Sequence, residues 1–346
     1  MTIRLQYCDH YKTERVTRFA PSPTGALHLG HVASALFGWS LAQPAGQWLV
    51  RMEDIDPQRC KPAFAAAILD DLAWLGLLPC GPVLYQSARM AVYAHVLDRL
   101  ERMGLLYPCF CTRSDIARES TAMLSAPHTA PDGSVLYPGR CRTLDAAEQA
   151  LRMEAGQPYV LRLNMARAMA RAQECAKENA QGGATCPVGS RVANGTGATG
   201  QGAVRGVVAD AAWPLTYHDL NCGPVPCQPE LFGDVVLARR DVPASYHLCV
   251  TCDDAAQGVT LVTRGEDLRP ATSLHRLLQT LMGWPAPHYA FHPLLCNAEG
   301  RRLAKRDGAL AISTMRARGM SAEQVRRKAM FTAAQRQSTC GPAPAP

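Results

Sequence analysis

The sequence predicts an α/β protein built on a doubly wound parallel sheet, with an α+β segment inserted into it. Three observations carry that expectation. Short β-leaning runs alternate with helical patterns between Val16 and Met103, the order that a parallel sheet with crossover helices produces. Two motifs, Arg18–His31 (RFAPSPTGALHLGH) and Glu53–Asp56 (EDID), each follow directly on a strand pattern, and ligands bind at the carboxyl ends of strands in such sheets. The alternation breaks off at Cys109 and resumes at Tyr246, as an insertion would cause.

In order along the chain, Val16 to Phe19 reads as a strand that ends in Pro21, Pro23 and Gly25. His28-Leu29-Gly30-His31 then opens a helix, with Val32 to Leu41 placing Leu36, Phe37 and Leu41 on one face. Gln47 to Met52 is a buried strand. Pro62 to Leu77 is a helix with proline at its start and Phe64, Ile68, Leu72 and Leu75 along one side. Ser87 to Met103 is another, capped by Ser87 and stopped by Gly104. Beyond Cys109 the spacing predicts strands at Tyr159–Leu163, Gly206–Val208 and Gly233–Leu237, with a Gly-, Ala-, Thr- and Ser-rich mobile loop at about 180–206. Strands Tyr246–Thr251 and Val259–Thr263, a helix Ser273–Met282 and a last helix Ser321–Ala334 complete the pattern. The expected division is a nucleotide-binding half at 1–108, an inserted domain at 109–238, the second half at 239–310, and a short helix with a tail at 311–346. No internal repeat is present.

Composition narrows the class. The 346 residues are 47% hydrophobic, enough for a large core plus an insertion. The formal charge of +7 suits a polyanionic partner without proving one. No long apolar run and no signal-peptide pattern occur, so a soluble cytoplasmic protein, in no contact with membrane, is expected. In that setting the 14 cysteines are reduced thiols or metal ligands rather than a disulfide framework.

A strand, a tight turn and a helix start leave backbone N–H groups at the helix N-terminus to hold phosphate. Gly30 lets a nucleotide lie close, and His28 and His31, one turn apart, both reach the same phosphates. Cys109-Phe110-Cys111 can present two thiolates to one metal from a tight turn, and thiolates suit Zn²⁺. Cys249 and Cys252 form a CxxC, but a strand there would separate their sulfurs; they read as buried thiols. Cys175, Cys186, Cys222 and Cys227 likewise read as non-ligands.

At Arg18–His31 the chain resembles the class I aminoacyl-tRNA synthetases, and within them the glutamyl branch, which combines an RFAPSPTG-like string with a HIGH-type motif. The resemblance implies ATP with Mg²⁺ and L-glutamate as substrates. It places glutamate contacts at Arg18, Phe19, Ala20, Pro21, Ser22, Glu53, Tyr246 and Arg264, ATP contacts at His28, Gly30, His31 and Lys305, and catalytic roles at His28, His31 and Lys305. Arginine is suited to the pocket because its planar fork pairs a carboxylate in two places. The other reading of Arg18 and Glu53 is a structural ion pair, and of Tyr246 a packing residue in a strand. Arg301–Arg306 resembles the KMSKS-type loop, with Arg302, Ala304 and Arg306 departing from it; a solvated charge run is the alternative.

The family's CxC…YxxxC pattern implies one structural Zn²⁺ held by Cys109, Cys111, Tyr137 and Cys141. Only a short stretch follows the basic loop, too small for a second domain that reads an anticodon. The resemblance is therefore to the short members of the branch, which place glutamate on queuosine in the anticodon stem-loop of tRNA(Asp). Charging the 3′ end of tRNA(Glu), or a silent tRNA-binding paralogue, remain open as alternatives. A monomer is expected, and the sequence assigns no role to the insertion around 166–230.

Overall fold

The computed structural model describes residues 14–122, 129–180, 213–239, 243–295 and 310–330. The first half holds β1 (Val16–Phe19), α1 (Leu29–Ala42), β2 (Gln47–Met52), α2 (Pro62–Trp74), β3 (Leu84–Tyr85) and α3 (Met90–Arg102). Then come β4 (Leu106–Cys109), α4 (Arg113–Ala122), α5 (Ala146–Glu154), β5 (Val160–Leu163), α6 (Met165–Ala180), β6 (Thr216–Asp219), β7 (Gly223–Pro226) and β8 (Val236–Arg239). The chain continues with α7 (Tyr246–Ala256), β9 (Leu261–Gly265), α8 (Ala271–Met282), β10 (His288–His292), α9 (Ile312–Ala317) and α10 (Ala322–Ala329).

The parallel sheet predicted from sequence is present in two parts that meet. One has the order β1-β2-β3 and the other β7-β6-β10-β9. All neighbours are parallel except the β6–β7 hairpin at the edge. The parts join at β1 and β9, where the Thr260 N–H donates to Val16 O at 3.0 Å and the Val16 N–H to Thr260 Oγ1 at 2.9 Å. Helix α1 lies across this seam. The Thr17 hydroxyl donates to Gly38 O at 2.9 Å, and a Cβ on Gly38 would stand 2.8 Å from Thr263 Oγ1. Glycine suits the position because a side chain there would press on the Thr263 and Trp48 side chains. The seam is the switch point of the sheet, so its crevice opens past Phe19, Met52 and Gly265.

Strands β4, β5 and β8 form a separate antiparallel sheet. It carries a small core of Tyr107, Cys109, Phe110, Tyr137 and Cys141. The β6–β7 hairpin lies within the interval expected for the insertion, yet β6 pairs with β10 of the main sheet, Asp219 opposite Tyr289. Helices α9 and α10 close over the first half: Ile312, Met315, Val325 and Ala329 join its core, and Arg326 donates to Leu75 O at 3.3 Å. Ser321 caps α10 reciprocally with Gln324. No helix among the described residues is long and apolar enough to cross a membrane.

Several expectations are corrected. The largest concerns Tyr246–Thr251, which is the start of helix α7 and not a strand, with Ser245 accepting the Leu248 N–H at its cap. Every residue from Leu248 to Asp254 is buried. A helix buried all round shows no polar face, so its period cannot be told from a strand's alternation. Ser87 does not cap a helix: its N–H and hydroxyl bind Asp54 at 2.8 and 2.6 Å, and α3 starts at Met90 after a 3-10 turn. In α2 the buried stripe is Ala65, Ile68 and Leu72, while Phe64 is 37% exposed. Helices α4, α5 and α6 went unforeseen; the inward stripe of α6 is Met165, Ala168, Ala172, Cys175 and Ala176, small residues that give a weak hydrophobic signal. Residues 206–208, Cys186, the proposed loop at 181–206 and residues 331–334 lie outside the described residues.

Candidate active site at the sheet crevice

The turn after β1 is tied to the loop after β2. The Glu53 N–H donates to Pro21 O and the Lys61 N–H to Pro23 O, both at 3.0 Å. Proline suits those positions because only its carbonyl is used. Phe19 is buried and stacks on Trp48 with ring centroids 6.4 Å apart, Pro21 is buried, Ala20 half-buried and Ser22 exposed.

On the nucleotide side, His28 caps α1 as the motif predicts. His28 Nδ1 accepts the Gly30 N–H at 3.1 Å and His31 Nδ1 accepts the His28 N–H at 3.2 Å. A ring nitrogen that accepts carries no proton, so each neutral imidazole bears its proton on Nε2. The rings lie 3.8 Å apart, half-buried at the helix start, and thus supply two N–H donors beside the positive end of the helix. Arg301 to Arg306, with Lys305, lies outside the described residues. The chain on either side is placed: Leu295 packs in the first-half core, Ala311 pairs with His28, and the Ile312 N–H donates to Leu27 O at 2.9 Å.

On the amino-acid side, α7 brings Asp254 beneath both strands. Arg18 Nε and Nη2 donate to its two oxygens at 2.9 and 3.4 Å, and Arg51 Nη2 donates to Oδ1 at 2.7 Å. The guanidinium groups hold Asp254 below the usual carboxylate range although burial opposes them. Arg18 gives one more N–H to Thr263 O at 2.9 Å. Among the described residues these partners use three of its five N–H groups, which leaves one on each terminal nitrogen. Among the described residues the ion-pair partner of Arg18 is Asp254 and not Glu53. Burial pushes the Glu53 carboxyl up to about 7, against the pull of Arg51 and Arg18.

Tyr246, at the start of α7, is pushed up to about 12 by burial and then by Glu53, while Arg264 and Arg18 pull it back. Tyr246 therefore lies within electrostatic reach of Glu53, Arg264 and Arg18, and Glu53 within reach of Arg18. Arg264 is 4% exposed and lies over the Tyr289 ring at 5.2 Å. Its Nη1 donates to Leu268 O at 3.4 Å, its Nη2 to His275 Nδ1 at 3.1 Å, and its buried Nε has no partner among the described residues.

Sequence reasoning missed Arg51, Asp254, His247 and His275. Only Asp253-Asp254 offered a signal, two adjacent carboxylates in an otherwise apolar run. Asp54 and Asp56 are engaged locally, by Ser87 and by Arg59, whose Nε stands 2.7 Å from Asp56.

In the second sheet the Cys109, Cys111 and Cys141 sulfurs lie within 4.8 Å of one another. Cys111 Sγ is 3.5 Å from Cys141 Sγ and 3.7 Å from the Tyr137 oxygen. Tetrahedral Zn–S bonds of about 2.3 Å place sulfurs roughly 3.8 Å apart, so these donors fit a metal. Burial pushes the Cys141 thiol up, but the Tyr137 hydroxyl and the Phe110 N–H outweigh it and favour thiolate. Cys249 and Cys252, now on a helix, are buried thiols that burial pushes up, and so is Cys227; Cys175 is buried in α6.

A strand-capped crevice with two cap histidines, facing arginines and a cysteine knuckle defines a class of protein. The chain belongs to the family of class I tRNA synthetases (E and Q), catalytic domain, whose family model matches residues 14–174 and 166–339. Among curated relatives it is 42% identical over 317 residues to the glutamyl-Q tRNA(Asp) synthetase of Rhodobacter capsulatus, covering 90% of this chain and 98% of the relative. It is 39% identical over 309 residues to the glutamyl-Q tRNA(Asp) synthetase of Nocardia farcinica, covering 89% and 81%. Among solved structures it is similar to a glutamate tRNA ligase from Elizabethkingia meningosepticum in complex with its amino acid, with a TM-score of 0.61 and 27% identity. That match covers 86% of this chain and 53% of the other, so the chain spans about half the length of that ligase.

Proposed function

We propose that this protein activates L-glutamate with ATP, without needing tRNA, and transfers the glutamyl group to queuosine at the wobble position of tRNA(Asp). In the first step a glutamate carboxylate oxygen attacks the α-phosphorus and pyrophosphate leaves. In the second a hydroxyl of the queuosine cyclopentene diol attacks the acyl carbon and AMP leaves. The observation that carries the reading is the amino-acid side of the crevice: Arg18 with N–H groups its partners do not use, Arg264 with no carboxylate partner among the described residues, and Glu53 in the field of Arg18 beside Tyr246. Two cations, and a carboxyl that an arriving ammonium would hold in its ionised form, match a substrate with two carboxylates and one ammonium.

His28 and His31 present Nε2 donors to the triphosphate, Gly30 allows the backbone approach, and Lys305 neutralises charge that develops on the phosphates. Mg²⁺ accompanies ATP. Phe19 to Ser22 shape the turn that carries the pocket edge. Cys109, Cys111, Tyr137 and Cys141 would hold one structural Zn²⁺, which fixes the knuckle of an inserted, tRNA-facing region. The curated relatives' names support the tRNA(Asp) acceptor.

The test is glutamylation of tRNA(Asp) with and without queuosine, with the label mapped to the anticodon stem-loop or the 3′ end. Label at the 3′ end of tRNA(Glu) would replace this reading by the other acceptor, and absence of ATP–pyrophosphate exchange without tRNA would overturn tRNA-independent activation and favour a silent tRNA-binding paralogue. Cys109→Ser is expected to lose metal by elemental analysis; full metal content in the variant contradicts the ligand set.

A further inference from the structure

We propose that His275 and His247 are positioning residues for Arg264, an uncharged imidazole pair that aims this guanidinium at the amino-acid pocket without spending its charge. The inference rests on the placement of Arg264 in the glutamate pocket.

The two pocket arginines are held in opposite ways. Arg18 is anchored by a carboxylate, Asp254. Among the described residues no carboxylate pairs with Arg264; its anchors are the Leu268 carbonyl at 3.4 Å and His275 Nδ1 at 3.1 Å. The first is at the long limit of a hydrogen bond, so His275 is the stronger one.

A guanidinium has donors only. Nδ1 of His275 must therefore be bare and its proton must sit on Nε2. That nitrogen is 3.1 Å from His247 Nδ1, so it donates there, and His247 in turn carries its proton on Nε2. The proton order runs one way from Arg264 through both rings. His275 is 1% exposed on α8 and uses one ring nitrogen on Arg264 and the other on His247.

The surroundings keep the pair neutral. Burial lowers His275 well below its ordinary value, and Arg264, His247 and Arg18 push the same way. Burial lowers His247 to about 4, with Arg264 adding to it and Asp132 opposing. A carboxylate in the place of His275 would orient Arg264 equally well but would cancel the charge that the substrate carboxylate needs; Asp254 does not do this to Arg18, because Arg51 shares it and the trio stays net positive. A neutral acceptor orients and leaves the cation intact.

The experiment is ATP–pyrophosphate exchange by the full chain, with KM for glutamate, KM for ATP and kcat measured separately. Losing one charge-assisted hydrogen bond predicts that His275→Leu raises the glutamate KM about 10- to 100-fold. The ATP KM and kcat are expected to stay within about two-fold. His275→Gln, which keeps a neutral acceptor, is expected to restore the glutamate KM, whereas His275→Glu, which accepts but neutralises Arg264, is not. If His275→Leu does not fold, the Gln and Glu variants still decide the matter. A wild-type glutamate KM in the Leu variant, equal rescue by Gln and Glu, or equal losses in all three constants would overturn the proposal. Arg264→Ala separates the two levels. An unchanged glutamate KM there removes the pocket reading itself, while a raised KM beside a silent His275→Leu removes only the positioning role.

Discussion

The two sides of the crevice are built by different means. On the nucleotide side each histidine is fixed by backbone two or three residues away, Gly30 to His28 and His28 to His31. On the amino-acid side Arg18 is fixed by Asp254, 236 residues along the chain, and Arg51 meets the same carboxylate across 203. The first is a helix end, and a strand-turn-helix segment can supply it alone. The second exists only once α7 has docked under β1 and β2, so pocket and core are stabilised together. Damage on the two sides should accordingly show up in different measurements.

The sharpest contrast comes from Asp254→Ala, which strands two buried guanidinium groups. A loss of about 3–5 kcal/mol is expected for breaking such a network, read as a shifted denaturant midpoint together with loss of glutamate activation. An unshifted midpoint would break the comparison, because the pocket would then be independent of the core. His31→Ala should do the reverse: exchange activity falls on the order of 10²-fold for a lost phosphate donor, while stability changes by about 1 kcal/mol, the worth of a cap. A large stability loss in that variant would make the nucleotide side as global as the other.

Gly38→Ala probes the seam that joins the two sides, since its Cβ would fall 2.8 Å from Thr263 Oγ1. Overpacking at such a site costs roughly 1–3 kcal/mol, and a variant as stable as the parent would mean that α1 can lift without consequence. The smallest effect is one of pH. Because burial raises Glu53 from 4.5 to about 7, its neutral form is the one the fold favours. That contribution is fully present below about 4.5 and is lost as pH rises through about 7. Glu53→Gln should therefore flatten the stability profile between those values in chemical melts, and an unchanged slope would show that the carboxyl is not desolvated.

Much of the molecule is legible without its structure. Gln47–Met52 can be read to the residue because a short apolar run bounded by turn formers has few other uses. The cap at His28 and the cysteine knuckle are legible for the same reason: both are spacings, and i, i+3 or CxC geometry follows from the backbone alone. Where reading fails, burial is the cause. Helix α7 has no solvent face, and α6 buries alanines, so neither displays the contrast on which periodicity depends.

Residue order by itself determined the strand-turn-helix that opens the crevice, the histidines at its cap, the thiolates of the knuckle and the alternation of the parallel sheet. All of these are set by steric and hydrogen-bonding rules acting over a few positions. Tertiary structure decided that Tyr246 begins a helix, that Asp254 rather than Glu53 holds Arg18, and that His275 meets Arg264. Those partners are chosen by burial, because a charge or a ring nitrogen removed from water must take whatever donor or acceptor the packed chain brings within about 3 Å, and no local pattern records which one that is.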